Sequence, residues 1–197
     1  MKIIILGPPG TGKGTQAKLI SKHFKLKHIS SDALREEIKK KTLLGKKVKS
    51  YMDKGALVPE KIMFPLLKKR LPSDNFILDG APRSLKQAKD LKKIFEPDLI
   101  LSIISSKKIL IHRLLNRAKI EGRSDDNLEV MKNRFRIYES KTNPILKYYG
   151  NKVRTIDGNG NAQTVYKRVE KVLKWKLKFL DLATGSPGTA AYPHTAA

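Results

Sequence analysis

The sequence predicts a three-layer α/β fold in which a five-stranded parallel sheet carries helices on both faces. Three observations predict it. Short apolar runs, "KIIIL" at 2–6, "FILD" at 76–79 and "LILSII" at 99–104, are continuous, as in strands buried on both faces, with "VRTID" at 153–157 a fourth candidate and "HIS" at 28–30 a fifth. Helical patterns at 13–24, 60–70, 84–95, 106–118, 126–140 and 162–180 lie between and after them. Strands alternating with helices argue for parallel pairing, because a parallel connection needs a crossover element. Finally, a glycine-rich turn, "GPPGTGKGTQ" at 7–16, joins the first strand to the first helix.

In chain order, the core is expected at 1–29, 60–116 and 135–182, which suits the single domain that 197 residues allow. Residues 30–59 interrupt it as a small subdomain, since "DALREEIKK" and "GKKVKSYMDKG" read as short helices with too little apolar face for a core. A short lid is expected at 117–134, its polar flap "RAKIEGRSD" at 117–125. The tail at 183–197 has neither lysine nor hydrophobic periodicity and reads as disordered. No run of 18 apolar residues occurs, and the N-terminus carries a strand and glycines where a signal peptide needs an uninterrupted apolar segment. A soluble cytoplasmic protein without membrane association is therefore expected. The absence of cysteine excludes disulfides and thiolate zinc sites, leaving oxygen or histidine for any metal.

Forty-two Lys and Arg against eighteen Asp and Glu give a formal charge of +24, which attracts polyanions without specifying one. Lysine recurs everywhere, as on solvated helix faces. No zinc-finger spacing, ribonucleoprotein strand or basic block with interleaved aromatics accompanies it, so no specific nucleic-acid partner is expected.

Gly7, Gly12 and Lys13 have the strand, G-x-x-x-x-G-K, helix spacing of a P-loop, and with it the P-loop NTPase fold. The loop's backbone N–H groups turn inward, the helix adds its N-terminal partial charge, and Lys13 reaches the β and γ phosphates. Gly14 stands where the general motif has a magnesium-binding Ser or Thr, with Thr15 one position later. The metal then needs phosphate oxygens, waters and a carboxylate such as Asp79.

The narrower pattern G-x-P-G-x-G-K-G-T-Q resembles the loop of the adenylate kinase family of nucleoside monophosphate kinases. "LDGAPRSLKQAKDL" at 78–91 is similar to that family's D-G-F-P-R-T-x-x-Q-A, at a strand end where open α/β sheets bind ligands. There Asp79 can orient Mg2+ through water, Arg83 can grip the acceptor phosphate in bidentate fashion beside Gly80, and Gln87 can pair with a base edge. Ala81 replaces the family's usual aromatic, which alters packing beneath the acceptor rather than chemistry. "ISSDALR" at 29–35 resembles I-S-T-G-D-x-L-R one residue shorter, with Arg35 a second phosphate clamp. Either the glycine is missing and Ser31 stands for the threonine, or Ser31 replaces the glycine and Ser30 stands for the threonine. "YMDKGALVP" at 51–59 resembles M-D-x-G-x-L-V, where Ala56, Leu57 and Val58 line the acceptor base.

Arg113 and Arg117 are four apart on one helix face, and Arg123 precedes Arg134 by eleven residues, about three turns. Asp125 and Asp126 could pair some of these arginines, so the cluster alone fits a solvated hairpin equally well. With the phosphate loop in the same chain, it reads as a site for phosphates. Phosphoryl transfer asks for aligned substrates, excluded water and positive charge, which Lys13, Arg83, Arg117, Arg123 and Arg134 supply. "RFRIYESKTNPILKYY" resembles short-lid members; longer lids insert a β subdomain, sometimes with a zinc site, and no zinc is expected here. By resemblance, ATP is held by Gly10, Thr11, Gly12, Lys13, Gly14, Thr15, Arg113, Arg117 and Gly160, with Arg113 stacking on adenine and the "DGNGNA" loop touching that base through backbone. AMP falls to Ser31, Arg35, Ala56, Leu57, Val58, Gly80, Arg83, Gln87, Arg123 and Arg134.

The implied activity is magnesium-dependent, reversible transfer between ATP and AMP by a monomer, serving adenine nucleotide homeostasis. A UMP or CMP kinase is the alternative within the class, though Gln87 favours AMP. A basic RNA- or ribosome-associated factor using the fold as a nucleotide switch is the alternative outside it. His28 and His112 are expected to be structural or solvent-facing.

Overall fold

The computed structural model of the chain describes residues 1–30, 32–121 and 127–184. Ser31 and Arg123, both expected site residues, lie outside these, as does the tail beyond 184. Five strands, β1 (Lys2–Leu6), β2 (Lys27–Ser30), β3 (Phe76–Asp79), β4 (Leu99–Ile104) and β5 (Val153–Asp157), form one sheet in the order β2-β3-β1-β4-β5. Every neighbouring pair is parallel. This is the expected α/β architecture.

Alternation along the central strand assigns its side chains to two layers. Ile3 and Ile5 pack with Ala17, Ile20 and Phe24 of α1 (Lys13–Phe24) and with Val165, Val169 and Leu173 of α9 (Ala162–Thr184). Ile4 and Leu6 face the other way, toward Met63 and Leu67 of α4 (Glu60–Lys68) and Ala88 and Leu91 of α5 (Leu85–Lys92). The apolar run is continuous because both faces are covered. Each fully buried isoleucine contributes about 1.5–3 kcal/mol.

Between β2 and α4 stand α2 (Asp32–Lys39) and α3 (Leu43–Asp53), with a small core of their own around Leu34, Val48 and Val58. α6 (Lys107–Glu121) and α7 (Leu128–Ile137) flank residues 122–126. Asn127 starts α7 by accepting a hydrogen bond on Oδ1 from the Val130 N–H at 3.0 Å.

The single helix expected at 126–140 is instead α7, a π-helical turn at Tyr138–Thr142, and a further helix, α8 (Asn143–Tyr149). Pro144 supplies no N–H to the turn before it, and the ladder widens there, with the Asn143 N–H bonded to the Tyr138 carbonyl. α9 continues through Thr184, past the expected end at 180 and two residues into the stretch read as tail. Among the described residues no helix is long and apolar enough to cross a membrane.

Because all strands run one way, the loops after β1, β3 and β5 emerge at the same carboxyl edge of the sheet. That edge, beside α6 and α7, carries the candidate site.

Candidate active site

The glycine-rich turn folds around its own lysine. Gly12, which precedes α1, has φ 83°, a left-handed conformation a side chain rarely adopts. Thr11 Oγ1 donates to the Pro8 carbonyl at 3.0 Å. Lys13 Nζ donates to the Gly7 and Pro8 carbonyls, each at 2.8 Å. A cation is thus anchored at the positive end of α1, where an anion gains both charge and amide donors.

Lys13 is pulled down from 10.5 to about 7, chiefly by burial; Asp79 pushes it back up, and Arg83, Arg134 and Arg117 lower it further. Residues spread over more than a hundred positions therefore act electrostatically on one ammonium. Asp79 closes β3, and its Oδ2 lies 3.4 Å from where a Cβ on Gly14 would stand. The Gly14 backbone and the carboxylate are neighbours. His28 Nε2 lies 3.6 Å from the same Asp79 oxygen.

Arg83 is fixed by its surroundings. Its Nε donates to the Gly80 carbonyl at 2.7 Å, its N–H donates to Gln87 Oε1 at 2.7 Å, and its carbonyl accepts from Thr142 Oγ1 at 2.8 Å. Ser84 caps α5 by accepting from the Gln87 N–H at 3.1 Å, while the Gln87 side chain reaches back one residue further, to the Arg83 N–H.

These elements border a cleft of about 940 Å3. Gly10 to Thr15, Arg113, Arg117 and Gly160 line one part of it; Arg35, Ala56, Arg83 and Arg134 line another, with Asp79 also exposed to it. A cavity of about 70 Å3 adds Leu57 and Gly80 beside Arg83 and Arg134. Among the described residues, cations outnumber carboxylates along the cleft, where Asp79, Glu36 and Glu121 are the acids, so it favours an anionic ligand.

At the far end, Arg113 Nη1 and Nη2 donate to the carbonyls of Gly158 and Gly160 at 3.0 and 2.7 Å. Arg168 Nη1 bonds the Asp157 and Asn159 carbonyls of the same loop at 2.7 and 2.6 Å. Two guanidinium groups therefore set the loop after β5.

The adenylate kinase profile matches residues 5–154. The adenylate kinase of Parabacteroides distasonis is 40% identical over 185 residues, covering 88% of this chain and 97% of that protein. Those of Mycolicibacterium vanbaalenii and Leptospira biflexa are 40% and 39% identical, covering 88% and 86% of this chain and 99% and 98% of theirs. The chain belongs to the adenylate kinase family. It is accordingly a nucleoside monophosphate kinase, a phosphotransferase.

Within this adenylate kinase, two expected site residues lie below the cleft surface. Val58 packs in the small core with Leu34 and Val48, and Gln87 is 2% exposed with its Oε1 engaged by Arg83. Other residues join the site without having been expected there. His28 borders the cleft, Thr142 holds Arg83, Arg168 holds the loop after β5, and Gln16 Nε2 donates to the Ala162 carbonyl at 2.9 Å. Only Gln16 carried a signal, as the last residue of G-K-G-T-Q.

Proposed function

We propose that this adenylate kinase transfers the terminal phosphoryl group of ATP to AMP, reversibly, giving two ADP. A phosphate oxygen of AMP attacks the γ phosphorus in line as the bond to the β–γ bridging oxygen breaks, without a covalent enzyme intermediate. Support comes from one observation above all: Lys13, Arg83, Arg117 and Arg134 act together on a cleft bordered by the P-loop and by Asp79. In this reading Lys13 holds the β and γ phosphates, Arg83 and Arg35 hold the AMP phosphate, and Arg117, Arg134 and Arg123 surround the phosphoryl group in flight. Ala56 and Leu57 form the acceptor-base side with Val58 packed behind them, and Gln87, whose Oε1 is held by the Arg83 N–H, would offer its Nε2 to the base edge. Gly10 to Thr15 cradle ATP, while Arg113 and the Gly160 loop hold its base.

The donor set suits magnesium. Among the described residues no group of three His, Cys, Asp or Glu side chains forms a metal cage, and Asp79 is the carboxylate beside Lys13. Such a site fits a cation held mainly by phosphate oxygens and water, oriented by Asp79 through water. When bound it would offset phosphate charge. The proposed form is a monomer, and the proposed setting is the cytoplasm.

Titrating AMP, GMP, UMP and CMP as acceptors in a coupled assay for diphosphate tests the reading. AMP is expected to give the highest kcat/KM. A preference above about tenfold for CMP or UMP would point to a pyrimidine kinase instead.

A further inference from the structure

The first turn of α9 borders the cleft through Ala162 and Val165, whereas its second half carries an exposed aromatic pair. Trp175 and Phe179 are 49% and 55% exposed. Their rings lie 5.9 Å apart and 21° from parallel. The stripe that faces the sheet, Val165, Val169 and Leu173, is complete without them. Trp175 sits about 200° round the helix from Leu173, so the pair is not an extension of the core.

Cations frame the rings. The Arg154 guanidinium lies over Trp175, 4.9 Å from the ring centroid, and the Lys176 ammonium stands 5.5 Å from that of Phe179. Lys171 and Lys178, one turn either side of Trp175, are exposed. A convex helix face with aromatic rings among lysines matches the physics of a headgroup boundary, where rings seat at the interface and basic side chains meet lipid phosphate. A single-stranded nucleic acid fits less well: one face of the indole is taken by Arg154, and base stacking needs open ring faces along a groove.

We propose that the Trp175–Phe179 face of α9 docks the enzyme peripherally on an anionic phospholipid surface. Trp175 lies thirteen residues beyond Ala162, about 20 Å along the helix axis, so docking leaves the nucleotide cleft open.

Trp175 is the chain's only tryptophan, so its emission reports on this face alone. The full chain is mixed with vesicles of phosphatidylcholine, with and without phosphatidylglycerol, at near-physiological salt. The expected result is flotation with the anionic vesicles and a blue shift of Trp175 emission, with neither on pure phosphatidylcholine. Phe179→Ser and the double variant Lys171→Glu/Lys178→Glu should each weaken binding about tenfold or more while adenylate kinase activity stays unchanged. Circular dichroism checks that the variants fold. The proposal is overturned if the wild type does not float, or if it floats without a blue shift and Phe179→Ser binds equally well, which would make the attraction one of net charge. It is overturned equally if emission changes with single-stranded RNA and not with vesicles.

Discussion

The side-chain amide of Asn133 donates to the backbone carbonyl of Lys54 at 2.7 Å, tying α7 to the turn that follows α3. Beside it Gly55 has φ 62°, and a Cβ there would stand 3.0 Å from Arg134 Cγ and from Val130. The backbone that leads into Ala56 and Leu57 is therefore pressed against the helix that carries Arg134. If those residues form the acceptor side, Asn133→Ala should loosen AMP binding and spare ATP. One hydrogen bond of about 0.5–1.5 kcal/mol implies a rise of roughly two- to tenfold in KM for AMP, with KM for ATP within about twofold. Steady-state kinetics with each nucleotide varied in turn measures this; equal rises in both would argue against the coupling.

Lys13 gives a prediction with a definite sign. Its ammonium titrates near 7 in the free protein against an ordinary value of 10.5, so between these values the unfolded chain holds the extra proton. From this group, stability rises as pH increases from about 7 toward 10.5, because the charge is disfavoured where it is buried. Phosphate oxygens reverse that penalty. At pH 8, where the terminal phosphate of ATP is already ionised, ATP binding should take up nearly one proton. Calorimetry in buffers of differing ionisation enthalpy reads the number, and Lys13→Met should abolish it. Proton release on binding would contradict the electrostatic picture.

Thr142 holds the Arg83 carbonyl from 59 residues away. Thr142→Val keeps the shape and removes the hydroxyl's hydrogen bond to that carbonyl, at a cost of about 1–3 kcal/mol. The expected outcome is a lower melting temperature and a several-fold lower kcat/KM for AMP, both restored by Thr142→Ser. A variant with wild-type kinetics would show that Arg83 needs no such support.

Arg168 acts at the other end. Arg168→Ala removes donors to the Asp157 and Asn159 carbonyls and should raise KM for ATP by about three- to tenfold, leaving KM for AMP unchanged, if the loop contacts the ATP base. Substrate-variation kinetics separates the two effects.

Much of this could be read from the chain before any coordinates. Continuous apolar runs reveal doubly covered strands, and the glycine spacing of residues 7–14 reveals the turn into α1, because both depend on neighbours in sequence. The π-helical turn at Tyr138–Thr142 could not be read, since its cause is a missing donor at Pro144 acting on an otherwise helical pattern. Contacts such as Thr142 to Arg83 and Asn133 to Lys54 join residues far apart, and periodicity is silent about them. His28 looked like part of a plain strand because only the packing of β2 against β3 brings it beside Asp79. Gln87 has a recognisable motif position, yet its buried side chain accepts from the Arg83 N–H just before α5, a contact that no spacing rule reveals.

The most direct test of the central claim is ADP formation from ATP plus AMP, compared between the wild type and Arg83→Ala. ADP is expected only when both nucleotides are present, with a rate lower by about a hundredfold or more in the variant, the cost of losing one preorganised charge contact. No ADP from the wild type, or an undiminished rate in Arg83→Ala, would contradict that claim.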